Sequence, residues 1–369
     1  MDFTWKELQT VLIVVAVVVA VLWMQRTTRK AAQNAHLSSP PPPPDDEPRS
    51  RAPGKDGDHT GARKPSAPAE APRLFETARA TAEALPPGDG PREGGIRLDR
   101  GAEGDASPDA PRSLVAHFIA RAEVNRPDGI ATQRVAVVPP LATFTLVTGA
   151  GPMPGVAAAF AGDGVRDGIA AAHRSDGADL LPPSAETLVR VLQTANEKLH
   201  AFIATRPELE GSIASAVAVA FTADTAIIAH VGAERVYRGR DGQAEPLTRD
   251  HSLVNDFIRM KNITDEAEQR DLRRNAPHRH VIVRALGPKE SVDVEVTEHP
   301  LRAGDRFLLV TKSVGDTLED ASIPDDEMRK LLDAGAPLEP LCARLLAKAA
   351  HLDPLQNHAA IVIAIENGG

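Results

Sequence analysis

Four strand-like runs follow one another between Ser215 and Thr248 with almost nothing between them. They are SAVAVAFTA (215–223), TAIIAHVG (225–232), RVYRGR (235–240) and AEPLT (244–248), separated by one to three residues. A parallel crossover needs a dozen or more residues, so runs this close can only be antiparallel neighbours. Asp241-Gly242 supplies the turn chemistry of a hairpin between two of them. ATFTLVTG (142–149), the alternating VDVEVTEHPL, RFLLVTK and the closing HAAIVIAIE add further strands. Helical spacing is concentrated elsewhere. It runs over 155–172, broken by Gly162, Gly164 and Gly168, and over 184–205, where Ser184 is the N-cap and Leu188, Val191, Leu192, Ala195 and Leu199 share a face. Two more helices are expected over Pro324–Leu332 and Leu338–Leu352. Segregated helices and antiparallel sheets make an α+β domain.

The folded part is shorter than the 369-residue chain, because most of the excess proline falls before residue 115, where 15 of the 31 prolines lie. After a short N-terminal segment (1–7), Leu8 to Met24 is apolar except for Gln9 and Thr10 and is bracketed by Trp5 and Trp23. At 1.5 Å per residue it reaches about 25 Å, enough for a single transmembrane anchor. Arg26, Arg29 and Lys30 outnumber Lys6, so the positive-inside bias puts the C-terminal bulk in the cytoplasm, at the inner (plasma) membrane. Residues 25–112 are a basic juxtamembrane stretch and a proline-rich linker that cannot bury enough apolar surface to order itself. Within it Arg73–Leu85 has helical spacing, and Pro40–Pro44 is a polyproline II candidate for SH3-like or WW-like docking. The globular domain spans 113–369. A net charge of −9 argues against nucleic acid as a partner. The single cysteine, Cys342, sits in a helical pattern, so it is a packed thiol in a reducing compartment.

The order of pieces from 115 to 366 resembles the PPM-type metal-dependent protein phosphatases, the protein phosphatase 2C family, and in particular its bacterial members. The stretch HVGAERVYRGRDGQAEPLTRDHSLVNDFIRMKNITDEAEQRDLRRNAPHRHVIVRALG is similar to that family's HVGDSRxY, LTxDHS, GxITxxEA and ITRALG series in order and spacing. TANEKLHAF resembles the family's alanine–asparagine helix and GSIASAVAVAF its GTT strand. LRAGDRFLLVTKSVGDTLED is similar to the pattern around SDG, and QNHAAIVIAI to the closing DN strand. The resemblance implies a sandwich of two antiparallel β-sheets flanked by helices. In the family two or three Mn²⁺ or Mg²⁺ ions in a cleft between the sheets hydrolyse phosphoserine and phosphothreonine esters.

Carried over residue by residue, the likeness is degenerate where the family holds metal. Its DG pair falls near Gly149 and Ala150, the aspartate of GDSR on Ala233, that of SDG on Lys312 and that of DN on Gln356. The early acidic element keeps Asp128 without its phosphate-contacting arginine. A Lys312 ammonium some 4 Å from a dication would repel it by about 8 kcal/mol at an effective dielectric of about 20. The resemblance therefore implies no cofactor, no catalytic residues and a pseudophosphatase. Such a protein would be a membrane-anchored binding module in bacterial Ser/Thr phosphorylation signalling, with a Ser/Thr kinase or a phosphoprotein as partner. Lys312 and Arg235 would make an anion-binding pair, or Lys312 would act as an internal counter-ion. The alternatives are a Ser/Thr phosphatase with residual or altered activity and a structural membrane protein using the domain for packing.

Other constellations are read as structural. GAGPMPG has the setting of a dinucleotide turn, yet Pro154 stands where a third glycine is needed and no acid-ended strand follows. His278 and His280 lack a third ligand, Asp250 and His251 belong to the fold after the hairpin, and Glu234 is expected to point out of the cleft because neighbouring strand residues alternate faces.

Overall fold

A computed structural model describes residues 83–85, 92–99, 113–175, 182–318 and 335–368. The apolar run at 8–24, the proline run and the helix expected at 324–332 lie outside the described residues. Among the described residues no helix is long and apolar enough to cross a membrane.

Two six-stranded sheets face each other, with every strand pair antiparallel. The first sheet runs β1 (Glu83–Leu85), β4 (Gln133–Val138), β5 (Thr143–Ala150), β6 (Ile213–Phe221), β7 (Thr225–Val231) and β10 (Glu295–Pro300). The second runs β2 (Arg92–Asp99), β3 (Ser113–Glu123), β12 (His358–Asn367), β11 (Arg306–Val310), β8 (Arg235–Arg240) and β9 (Gln243–Pro246). Helices α1 (Pro154–Ser175) and α2 (Ala185–Ala204) pack on the outside of the first sheet, forming one core with Val147, Ala216 and Ala218. Helices α5 (Lys312–Leu318) and α6 (Leu338–Leu352) do the same for the second sheet, against Tyr237, Leu308 and Val362. Between α2 and β10 in the chain, α3 (Leu253–Met260) and α4 (Glu266–Asn275) share a small core of Val254, Ile258 and Ala276.

The period-2 pattern of β6 shows how the layers are specified. Val217, Val219 and Phe221 enter the core between the sheets, whereas Ala214, Ala216, Ala218 and Ala220 face the helices. Small residues on the helix side let α1 and α2 approach closely. Between the sheets, four phenylalanines stand edge to face in succession. Phe118 to Phe144 is 5.3 Å, Phe144 to Phe221 5.7 Å and Phe221 to Phe307 5.0 Å between ring centroids. Two come from each sheet, so the run laces the layers together, and each such pair adds to the area it buries.

Several expectations are met closely. The strand at 235–240 and the helix at 338–352 have the bounds read from sequence, and Ser184 caps α2 by accepting from the Thr187 backbone N–H. Cys342 is fully buried, and burial pushes its thiol up to about 12, which makes it inert. Two differences stand out. Strands β1 and β2 fall inside the stretch read as linker, and β1 lies where a helix was expected. In β2 only Ile96 and Leu98 turn inward, a pattern too short to stand out in a glycine-rich, charged segment. The segment GAGPMPG serves packing: a Cβ on Gly149 would lie 1.9 Å from the Pro154 carbonyl oxygen, and Gly151 holds φ +92° beside Gly211.

Replacing Phe221 by Ala should remove two of the three ring contacts and leave a cavity at the sandwich centre. The expected loss is about 3 kcal/mol or more, read as a lower denaturant midpoint with a largely unchanged slope.

Candidate functional site

Strand ends on one side of the sandwich bring Arg235, Lys312, Asp250 and Glu234 together, and leave others of the residues that the sequence singled out apart. Of the positions near the end of β5, Gly149 has no room for a side chain and Ala150 is exposed. Thr148, on the same face as Phe144 and Leu146, is the one that turns between the sheets. Ala233 is buried in the turn from β7 to β8, its N–H on the Ser215 hydroxyl at 3.3 Å. Lys312 opens α5 directly after β11. Gln356 is exposed in the turn before β12 and does not join the cluster around Lys312. Its neighbour Asn357 is buried and structural: its Oδ1 accepts from the backbone N–H groups of Asn125 and Arg126, and its Nδ2 donates to Ile130 O and Thr132.

The centre of the site is a charge-balanced cluster. Arg235 is fixed by Asp250 in a two-pronged pair, Nε to Oδ1 and Nη2 to Oδ2, both 2.7 Å. Its Nη2 also donates to Asp316 Oδ1 at 2.7 Å. Lys312 Nζ donates to both oxygens of Asp316, at 2.9 and 2.6 Å, and lies 3.8 Å from Asp250. Two cations and two anions therefore cancel. Burial opposes ionisation of Asp250, but Arg235 and Lys312 outweigh it and hold its carboxyl below the usual range. Gly315 makes the packing possible, since a Cβ there would lie 2.8 Å from Arg235 Cδ.

Glu234 departs from expectation. It is 2% exposed and points inward, toward Thr148, Asp250, Arg235 and Lys312. The alternation argument failed because Gly232 (φ +106°), Ala233 and Glu234 form a turn between the strands. Burial pushes the Glu234 carboxyl up to about 8 despite the nearby cations. Thr148 lies beside it and favours the ionised form, yet neither Glu234 Oε2 nor Thr148 Oγ1 completes a hydrogen bond.

A second group lies next to the first. His230, His251 and Glu295 offer ligand atoms within 4.8 Å of one another. The sequence hid it because the members are far apart, and the β7–β10 register sets Glu295 directly opposite His230. The two imidazoles stack at 4.6 Å, and His251 Nε2 lies 3.2 Å from Glu295. The Gly232 N–H donates to His251 Nδ1 at 3.0 Å, so Nε2 is the atom that faces Glu295 and Arg284, and it is the nitrogen a cation would take in place of a proton. Burial, then the second imidazole, pushes His230 down to about 4, so it is the neutral ring a metal requires. The hydrogen bond from His251 keeps Glu295 ionised. By contrast, His278 and His280 are not part of this group; His280 lies close enough to Lys312 and Asp316 to feel their charge.

No family model matches the chain. It is 31% identical over 147 residues to the serine/threonine protein phosphatase PstP of Mycobacterium tuberculosis, which covers 40% of this chain and 27% of that one. It is 26% identical over 162 residues to the serine/threonine phosphatase stp of Listeria innocua, covering 44% and 60%. The chain thus matches about a quarter to three fifths of the length of these relatives. Among solved structures, the phosphatase PstP/Ppp of M. tuberculosis superposes with a TM-score of 0.55 at 24% identity, over 68% of this chain and 99% of that one. Stp1 of Staphylococcus aureus gives 0.52 at 20%, over 76% and 98%. The fold is that of the PPM-type phosphatases.

The expectation of no cofactor is corrected. A PstP catalytic domain with this fold (TM-score 0.53, 24% identity, over 69% of this chain and 99% of that one) was solved in complex with two manganese ions, and the His230–His251–Glu295 group gives this chain ligands for a cation. The sequence argument counted only aspartates at the family positions and missed ligands drawn from three separate segments. Lys312 itself supplies no oxygen ligand of the kind that hard dications take.

Glu234 sets a pH dependence. Its folded-state value near 8 lies above the ordinary carboxylate value, so the folded chain holds a proton that the unfolded chain releases. Stability should fall as pH rises from about 4.5 to about 8 and stay reduced above that. Glu234→Gln cannot ionise. It should lie close to the parent near pH 5 and exceed it by roughly 4 kcal/mol at pH 9 in paired thermal melts.

Proposed function

We propose that the chain is a pseudophosphatase, a PPM-fold module that binds in Ser/Thr phosphorylation signalling instead of hydrolysing phosphate esters. The cluster of Arg235, Lys312, Asp250 and Asp316 carries this reading. Metal-assisted ester hydrolysis needs ions that activate water and clamp the leaving oxygen. Here the position expected to supply a central carboxylate presents an ammonium, and Asp250 and Asp316 are committed to cations within the protein. The reading concerns turnover and not metal content, since His230, His251 and Glu295 can hold a cation apart from this cluster.

The partner we propose is a phosphoprotein or a Ser/Thr kinase, by analogy with relatives named as Ser/Thr phosphatases. The apolar run at 8–24 would tether the module as a single-pass anchor with the domain in the cytoplasm, in line with the basic residues that follow the run.

The full-length chain, assayed with Mn²⁺ and either p-nitrophenyl phosphate or a phosphoserine peptide, should show no turnover above a chelator-treated control. Saturable, chelator-sensitive turnover would overturn the reading in favour of a phosphatase using another ligand set.

A further inference from the structure

Asp316 occupies the site in the way a bound anion would. Its Oδ1 accepts from both Arg235 and Lys312, and its Oδ2 takes a second bond from Lys312. Guanidinium and ammonium groups converging on adjacent oxygens are the chemistry that recognises a phosphoryl group. The four members differ in access to water. The side chains of Arg235 and Asp250 are 9% and 8% exposed, Lys312 is 23% and Asp316 41%. Asp250 is thus the permanent counter-ion that orients the guanidinium, while Asp316 lies on the solvent side and can leave without being stripped from a buried environment.

We infer that Arg235 and Lys312 form a binding site for a phosphate monoester, and that Asp316 fills it until the phosphoryl group displaces it. This rests on the binding-module reading above and adds where, and against what internal competitor, the phosphate binds. With Asp316 turned out, the two cations and Asp250 leave a net positive centre facing an incoming dianion. Asp316 sits one turn along α5 from Lys312, so a rotamer change suffices to clear the site and the helix need not move. The arrangement also provides selectivity. A weakly held monoanion must compete with a carboxylate on the same helix, whereas a phosphate dianion gains more from the pair than the carboxylate does.

The test titrates the full-length chain by calorimetry with inorganic phosphate, and in a parallel arm with a phosphoserine peptide. Asp316→Asn, which keeps the shape but removes the competing charge, should bind phosphate roughly tenfold or more tighter than the parent. Lys312→Met should abolish binding, and so should Lys312→Met combined with Asp316→Asn. Gly315→Ala changes no charge but would set a methyl 2.9 Å from Arg235 Nη1. It should weaken phosphate binding while thermal melts report whether the variant is folded. Tight binding by the peptide alone identifies a protein-borne phosphoserine as the ligand, and equal binding in both arms identifies the free ion; each supports the site. If folded Asp316→Asn binds neither phosphate nor the peptide better than the parent, or if folded Lys312→Met binds whichever ligand the parent takes equally well, the inference is overturned. Turnover is read in the same samples. Phosphate binding lost without turnover removes this site alone, whereas chelator-sensitive turnover removes the binding-module reading.

Discussion

The run of edge-to-face phenylalanines between the sheets fixes how the two layers meet, and the site inherits its geometry from that contact. Phe221 and Phe307 belong to opposite sheets, and each lies on a strand that leads toward the cluster: β6 pairs with β7, which runs into the Ala233 turn, and β11 leads into Lys312. Because the rings interlock rather than slide, the ends of these strands arrive in one register. That register lets Arg235 at the start of β8 meet an aspartate from the loop after β9 and another from α5.

At that end of the sandwich, charge balance decides which residues can coexist. Removing one partner of a buried ion pair costs more than the pair itself contributes, because the remaining charge is left uncompensated. The cluster is therefore coupled: a cation at Lys312 requires the carboxylates around it, and a carboxylate introduced there would meet Asp250, Asp316 and Glu234. Glu234 is the one acid of this group without a dedicated cation, and the site accommodates it by holding it protonated. The His230–His251–Glu295 group is organised differently, around a buried neutral His230 and an ionised Glu295 set opposite each other by cross-strand pairing, with the His251 ring stacked on the first and hydrogen-bonded to the second.

Much of the architecture was legible because it is written in local periodicity. β8, α2 and α6 announced themselves through alternation, capping and a shared apolar face. What stayed hidden was set by contacts distant in sequence. Strands β1 and β2 are short and poor in apolar residues, and only the sheets they join reveal them. Helices α3 and α4 bury little; α4 has no buried residue, so it leaves no apolar stripe to detect. At the site, Ala233, Lys312 and Arg235 were legible through the resemblance. Asp316 and Glu234 were not: the first became important through an i,i+4 pair with a lysine out of place, and the second through a turn that broke the alternation of its strand. The metal-ligand group needed three segments and could not be seen until β10 was aligned on β7.

The early strands also bear on how the domain protects itself. β1 is the outermost strand of the first sheet and β2 the outermost strand of the second, and they follow each other in the chain. One short segment thus covers an edge of each layer. Without it, β4 and β3 would present rows of unpaired backbone groups, the surface on which sheets recruit strands from other molecules. The stretch that looked like the end of a tether is therefore a guard against self-association. A chain trimmed to begin at Ser113 would keep the site and both sheets yet expose two templates for aggregation.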